Sequence, residues 1–116
     1  TVARNVLVMQ FIGENGKPAQ TLEKVDVGKQ DYRKTLSMMR KLYRDVGLVH
    51  ADLSEYNIFK FKRRLILFDF GAAVSSSHPR AEEFLVRDIT NINRFFSRRD
   101  VDVLSLEDSL KLVKGK

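Results

Sequence analysis

LVHADLSEYNIFKFKRRLILFDFG, residues Leu48 to Gly71, is the stretch on which the reading of this chain turns. His50, Asp52 and Asn57 stand in the spacing H-x-D-x-x-x-x-N, and Asp69-Phe70-Gly71 begins 12 residues after Asn57. Between them, Tyr56 to Phe61 and Leu65 to Phe70 are two β-like runs separated by the polar turn Lys62-Arg63-Arg64, which predicts a hairpin. Alone, an H-x-D reads as a local hydrogen-bonded turn, and an Asp-Phe-Gly as a turn after a strand. The order and spacing change that reading, because the hairpin can return Asp69 to the end of the sheet where Asn57 sits. A hydroxyl attacking a γ-phosphorus needs a carboxylate to orient it and accept its proton, a role that suits Asp52 on a loop. The charge gathered on the phosphates calls for Mg²⁺, which prefers hard oxygen ligands. Asn57 and Asp69 offer such ligands. His50 reads as structural support for the loop, bonded to nearby backbone, rather than as a proton carrier.

Outward from this stretch the chain alternates short apolar runs with helical periodicity. Asn5 to Ile12 (NVLVMQFI) predicts a strand, followed by the breaker cluster Gly13 to Pro18. From Gln30 to Val46 the apolar positions Tyr32, Leu36, Met39, Leu42, Tyr43 and Val46 describe one helical face, and Gly47 suits a left-handed stop. Leu48-Val49-His50 is a short strand. A helix is expected from Pro79 to Phe96, with Ala81, Phe84, Leu85, Ile89, Ile92, Phe95 and Phe96 on its apolar face and His78 as a cap. Ser105 to Asp108 resembles a capping box before a last helix through Val113. These elements predict an α+β fold. The Met and Tyr stripe of the first helix and the phenylalanines of the second read as core.

The chain has 116 residues, enough for one small domain. With 43% hydrophobic and 31% charged residues it reads as globular rather than disordered. It contains no cysteine, which excludes disulfides and thiolate zinc sites. No apolar run approaches the length of a membrane span. The start at Thr1-Val2-Ala3-Arg4 lacks a signal-peptide core and an initiator Met, and the expectation is a piece of a longer cytoplasmic protein. A net charge of +6 favours an anionic partner such as a nucleotide or RNA, or else marks a solvated basic surface.

The H-x-D-x-x-x-x-N and D-F-G pair belongs to the protein-kinase signature. Beyond it the chain closely resembles the RIO family of atypical serine/threonine protein kinases. His50-Ala-Asp52-Leu-Ser54-Glu55-Tyr56-Asn57 is similar to that family's catalytic loop. Ser77-His78-Pro79-Arg-Ala81-Glu-Glu-Phe84-Leu85-Val-Arg87-Asp88 resembles its characteristic segment after the metal loop. Val8 to Gly13, followed by Pro18-Ala19, resembles its hinge between lobes. The wording of the loop and hinge favours the branch without an N-terminal winged-helix domain. The resemblance implies a kinase-like C-terminal lobe, with residues 1–13 as the last N-lobe strand and hinge and residues 14–116 as the C-lobe.

By position, the resemblance implies Asp52 as the catalytic aspartate and Asn57 and Asp69 as the Mg²⁺ ligands. It places the backbone of Gln10 and Ile12 at the adenine of ATP, with Met9 at the back of that pocket. It further implies ATPase activity through a phospho-aspartate on Asp69, a protein substrate, and a place in maturation of the small ribosomal subunit with contacts to rRNA or the pre-ribosomal particle. Asp69-Phe70-Gly71 is closer to ordinary kinases than to the family's usual metal loop. No Gly-rich loop and no strand-borne Lys precedes Val6, so residues 1–116 alone are expected to fold but to be nearly inactive. Two other readings stand beside this one: a basic module that docks on pre-ribosomal RNA or protein without chemistry, and a small-molecule kinase, against which the Ser77 to Asp88 segment speaks.

Overall fold

The computed structural model describes residues 20–115. The expected strand from Asn5 to Ile12, the breaker cluster after it and the adenine-facing positions Met9, Gln10 and Ile12 lie outside the described residues. The elements run as β1 (Gln20–Thr21), α1 (Lys29–Lys41), β2 (Leu48–Val49), β3 (Ile58–Phe61), β4 (Arg64–Leu67), β5 (Val74–Ser75), α2 (Ala81–Ser97) and α3 (Leu106–Lys114). The architecture is α+β, as expected. β1, β3 and β4 form an antiparallel sheet in that order, with Phe59 opposite Ile66 and Ile58 opposite Leu67. β2 pairs separately with β5, Val49 opposite Val74.

The core gathers the apolar stripes of the three helices. Leu36, Ile89, Ile92, Phe96 and Val113 are buried together with Leu22, Leu53 and Ile58. Tyr32 stands edge-on to Phe96 with ring centroids 5.3 Å apart. Its hydroxyl donates to Asn93 Oδ1 at 2.7 Å and accepts the Leu104 N–H at 3.1 Å, so this buried phenol leaves no polar atom unmet. Arg99 fastens the segment entering α1 to the end of α2. Its guanidinium donates to the carbonyls of Val25 and Glu23 at 2.9 and 2.7 Å while lying over the Phe95 ring.

The first predicted helix forms, but its last turn is not α-helical. Leu42–Val46 close as a π-turn before Gly47. A wider turn rotates the residues that follow away from the α-helical stripe, and Val46, expected on the buried face, is 47% exposed. Gly47 ends the helix with φ 81°, the left-handed stop expected there. The hairpin also forms with narrower limits than predicted. Arg64 belongs to β4, leaving Lys62-Arg63 as the turn, with Lys62 at φ 58°. Tyr56 and Phe70 lie in 3₁₀ turns rather than in strands, and Tyr56 is 61% exposed. α2 starts at Ala81, two residues after Pro79, whose turn is closed by the His78 carbonyl accepting the Ala81 N–H at 2.9 Å. His78 Nδ1 accepts the Arg80 N–H at 3.0 Å within the turn before the helix, and α2, whose N-cap is Arg80, begins without the side-chain cap expected from His78. Ser105 caps α3 by accepting the Asp108 N–H at 3.1 Å.

Candidate phosphotransfer site

The loop from His50 to Asn57 leaves β2 and reaches β3 through a 3₁₀ turn. His50 is buried, and both ring nitrogens are engaged. Nε2 lies 2.8 Å from the Phe68 carbonyl and Nδ1 accepts the Asp52 N–H at 3.2 Å, which fixes the proton on Nε2. One imidazole thus ties the backbone of Asp52 to the residue before Asp69. Asn57 makes a second tie, its carbonyl accepting the Phe68 N–H at 3.0 Å. The Phe70 ring lies against His50, centroids 5.0 Å apart. The hairpin therefore delivers Asp69 directly beside the loop that carries Asp52 and Asn57. This closure depends on β3 and β4 being equal in length across the register.

Helix α2 fixes the middle of the loop. Asp88 is buried, and its carboxylate accepts the Ala51 N–H at 2.8 Å and the Leu53 N–H at 3.0 Å. Arg87 donates to the Ala51 carbonyl, and Asn91 Nδ2 donates to the Leu53 carbonyl at 3.2 Å. Every backbone polar group of Ala51 and Leu53 is thereby bonded to one helix, and Asp52 between them is left with its side chain exposed. Ala51 sits at φ 71°, a left-handed geometry costing an L-residue roughly 1–2 kcal/mol. The bonds from α2 hold it there. Burial pushes the Asp88 carboxyl above its ordinary value. The N–H groups of Leu53 and Ala51, and more weakly the charges of His50 and Arg87, pull it back down.

Asp69 is exposed and also left-handed, at φ 63° and ψ 63°, immediately before the 3₁₀ turn Phe70–Ala72. Asn57 is buried, with Oδ1 accepting the Ser54 hydroxyl at 3.0 Å and one lone pair to spare. Among the described residues no three His, Cys, Asp or Glu side chains cluster to hold a metal. The donors present are one free carboxylate and one amide oxygen. That set suits Mg²⁺, which is commonly bound by one or two carboxylates together with substrate phosphates. The sequence reading named Asp52, Asn57 and Asp69, and the fold brings their segments together. It gave no role to Asp88, Arg87 and Asn91. The signal for Asp88 was present: an acid in step with Leu85 and Ile92 on an otherwise apolar stripe, where a charge must have partners.

Comparison with known proteins converges on one family. The RIO domain matches residues 1–109. The chain belongs to the RIO family. A RIO-type serine/threonine-protein kinase Rio1 from Methanocaldococcus jannaschii is 42% identical over 114 residues, covering 97% of this chain and 39% of that protein. The human serine/threonine-protein kinase RIO3 is 39% identical over 117 residues, covering 97% of this chain and 22% of its own length. Among solved structures, the Rio2 kinase–ADP/Mg²⁺–phosphoaspartate complex from Chaetomium thermophilum matches with a TM-score of 0.65 and 28% identity, over 84% of this chain and 34% of that one. This RIO chain thus spans well under half the length of these relatives. Among the described residues no helix is long and apolar enough to cross a membrane.

Proposed function

We propose that this RIO chain is the catalytic half of an ATP- and Mg²⁺-dependent serine/threonine phosphotransferase, with residues 1–13 as hinge and 14–116 as C-lobe. The observation that carries the reading is the double tie of Phe68 to His50 and Asn57, which sets Asp69 beside Asp52. In this reading Asp52 orients the acceptor hydroxyl and takes its proton as the oxygen bonds to the γ-phosphorus and the bond to ADP breaks. Asn57 and Asp69 hold Mg²⁺, which offsets the charge of the phosphates when bound with the nucleotide. The backbone of Gln10 and Ile12, with Met9 behind it, takes the adenine. With water as the final acceptor, the Asp69 carboxylate would first receive the phosphoryl group, giving ATPase turnover. The protein substrate, a cytoplasmic location and a place in maturation of the small ribosomal subunit, with contacts to rRNA or the pre-ribosomal particle, belong to the same proposal.

The test uses the full-length protein that contains this chain. Transfer of labelled γ-phosphate and release of ADP are followed with and without Mg²⁺. Sustained Mg²⁺-dependent turnover supports the reading, and its absence in a folded, nucleotide-binding protein refutes it. Residues 1–116 alone are expected to bind nucleotide weakly and to turn it over below detection, because positioning supplies most of the catalysis in phosphoryl transfer.

A further inference from the structure

Away from the loop of Asp52, the outer face of α1 and the 102–104 segment enclose a groove of about 570 Å³. Its floor is aliphatic, formed by Leu36, Val103, Leu104 and Leu112, and Leu104 and Leu112 are 40% and 39% exposed. Along its α1 side stand Lys29, Arg33 and Arg40, and a neighbouring depression that shares Ser37 and Arg40 adds Lys41 and Arg44. Among the described residues Lys29, Arg33, Arg40 and Lys41 make no ion pair or side-chain hydrogen bond, whereas Lys60, Arg80, Lys111 and Lys114 each pair with an acid. One acid, Asp102, lines the groove itself. We infer that this groove docks an acidic, amphipathic peptide segment of a partner protein, leucine-type side chains on the floor and carboxylates against the α1 cations. Charge complementarity sets the sign of the partner, and the floor sets its class. Nucleic acid offers bases to stack and phosphates to contact, and it leaves aliphatic side chains unmatched. An amphipathic helix presents apolar anchors at i, i+3, i+4 and i+7 with acids along one flank.

The probe is a fluorescein-labelled helical peptide of about 18 residues, roughly 27 Å long, with leucines on one face and glutamates beside them. It is titrated into the full-length protein by anisotropy. Saturable binding is expected, weakening at least tenfold in the exposed double variant Arg33→Glu/Arg40→Glu and recovering when the glutamates of the probe are replaced by lysines. Leu104→Ser/Leu112→Ser, also at exposed positions, should weaken the original probe with its charges untouched. Circular dichroism and the urea midpoint of each variant show that the fold is retained. Binding indifferent to both double variants overturns the inference. So does an 18-nucleotide single-stranded RNA that displaces the probe and itself depends on Arg33 and Arg40 but not on Leu104 and Leu112, because the face would then read phosphates.

Discussion

The loop of Asp52 and the loop of Asp69 flank the same residue, Phe68, and are held in opposite ways. The first is bonded at every backbone polar group of Ala51 and Leu53 to a single helix. The second begins at an exposed Asp69 and is closed by one turn bond, from the Ala73 N–H to the Phe70 carbonyl at 3.0 Å. Both contain a non-glycine residue in the left-handed region. In one loop the geometry is enforced from outside by α2. In the other it rests on the local turn and on the two ties to Phe68. The contrast fits the roles proposed above. A proton acceptor at Asp52 would need a fixed position, since a misplacement of about 1 Å can cost about 10²-fold in rate, whereas a metal ligand at Asp69 could adjust as the ion and phosphates arrive. The contrast divides the site into a fixed part and an adaptable part.

The strongest way to break the contrast is to remove the one charge of the adaptable side. Asp69→Asn in the full-length protein should abolish Mg²⁺-dependent ATP turnover, measured as ADP release. Turnover within a few-fold of the parent would show that Asp69 does not hold the metal. Next in size, Asp52→Ala should slow phosphoryl transfer by roughly 10²–10⁴-fold, the range of a general acid–base group, with ATP affinity unchanged by calorimetry. Equal loss of binding and rate would move Asp52 into the metal-holding part.

The support beneath Asp52 can be probed without touching Asp52. Asp88→Ala orphans two buried N–H groups at roughly 1–3 kcal/mol each, so urea unfolding should show about 2–6 kcal/mol lost. Asp88 also leaves a signature in pH. Because its folded-state carboxyl titrates above the ordinary value of 3.8, the native protein keeps a proton that the unfolded chain releases. Its contribution to stability is therefore full below the ordinary value and declines as pH rises through the folded one. Asp88→Asn, compared over the same pH series, should remove that decline. The smallest effect is expected from Arg87→Met, which leaves the Ala51 carbonyl without its donor. A several-fold fall in kcat with unchanged KM for ATP, partly restored in Arg87→Lys, would sharpen the contrast, and parallel changes in kcat and KM would blur it.

How much of this was legible in the sequence follows from the range of the forces involved. Local signals carried α1, the hairpin and the Ser105 cap, because apolar period and capping chemistry act within a few residues. The spacing of His50, Asp52, Asn57 and Asp69 could be read because the hairpin linking them is itself local. The bonds from Arg87, Asp88 and Asn91 to residues 51 and 53 span more than 30 positions of sequence. No periodicity records such a contact, and only the misplaced acid on the α2 stripe hinted at it. The π-turn was missed for another reason: Tyr43 and Val46 fit the α-helical period, and the wider turn answers to where Gly47 and β2 must begin.

That wide turn has a consequence for insertions and deletions. Suppose instead that the same five residues, Leu42–Val46, wound on as a regular α-helix to Gly47. The exit of the chain would turn by about 100° and shift by about 1.5 Å. Only Leu48 and Val49 separate Gly47 from His50, too short a span to absorb the change. The imidazole would be drawn off the Phe68 carbonyl, and the two halves of the site would lose their shared fastening. Most helices in small domains tolerate editing at their ends. Here the wide turn takes up about one residue more than an α-turn would, so a relative one residue shorter between Leu42 and Val46 should close α1 with a regular α-turn and keep β2 in place.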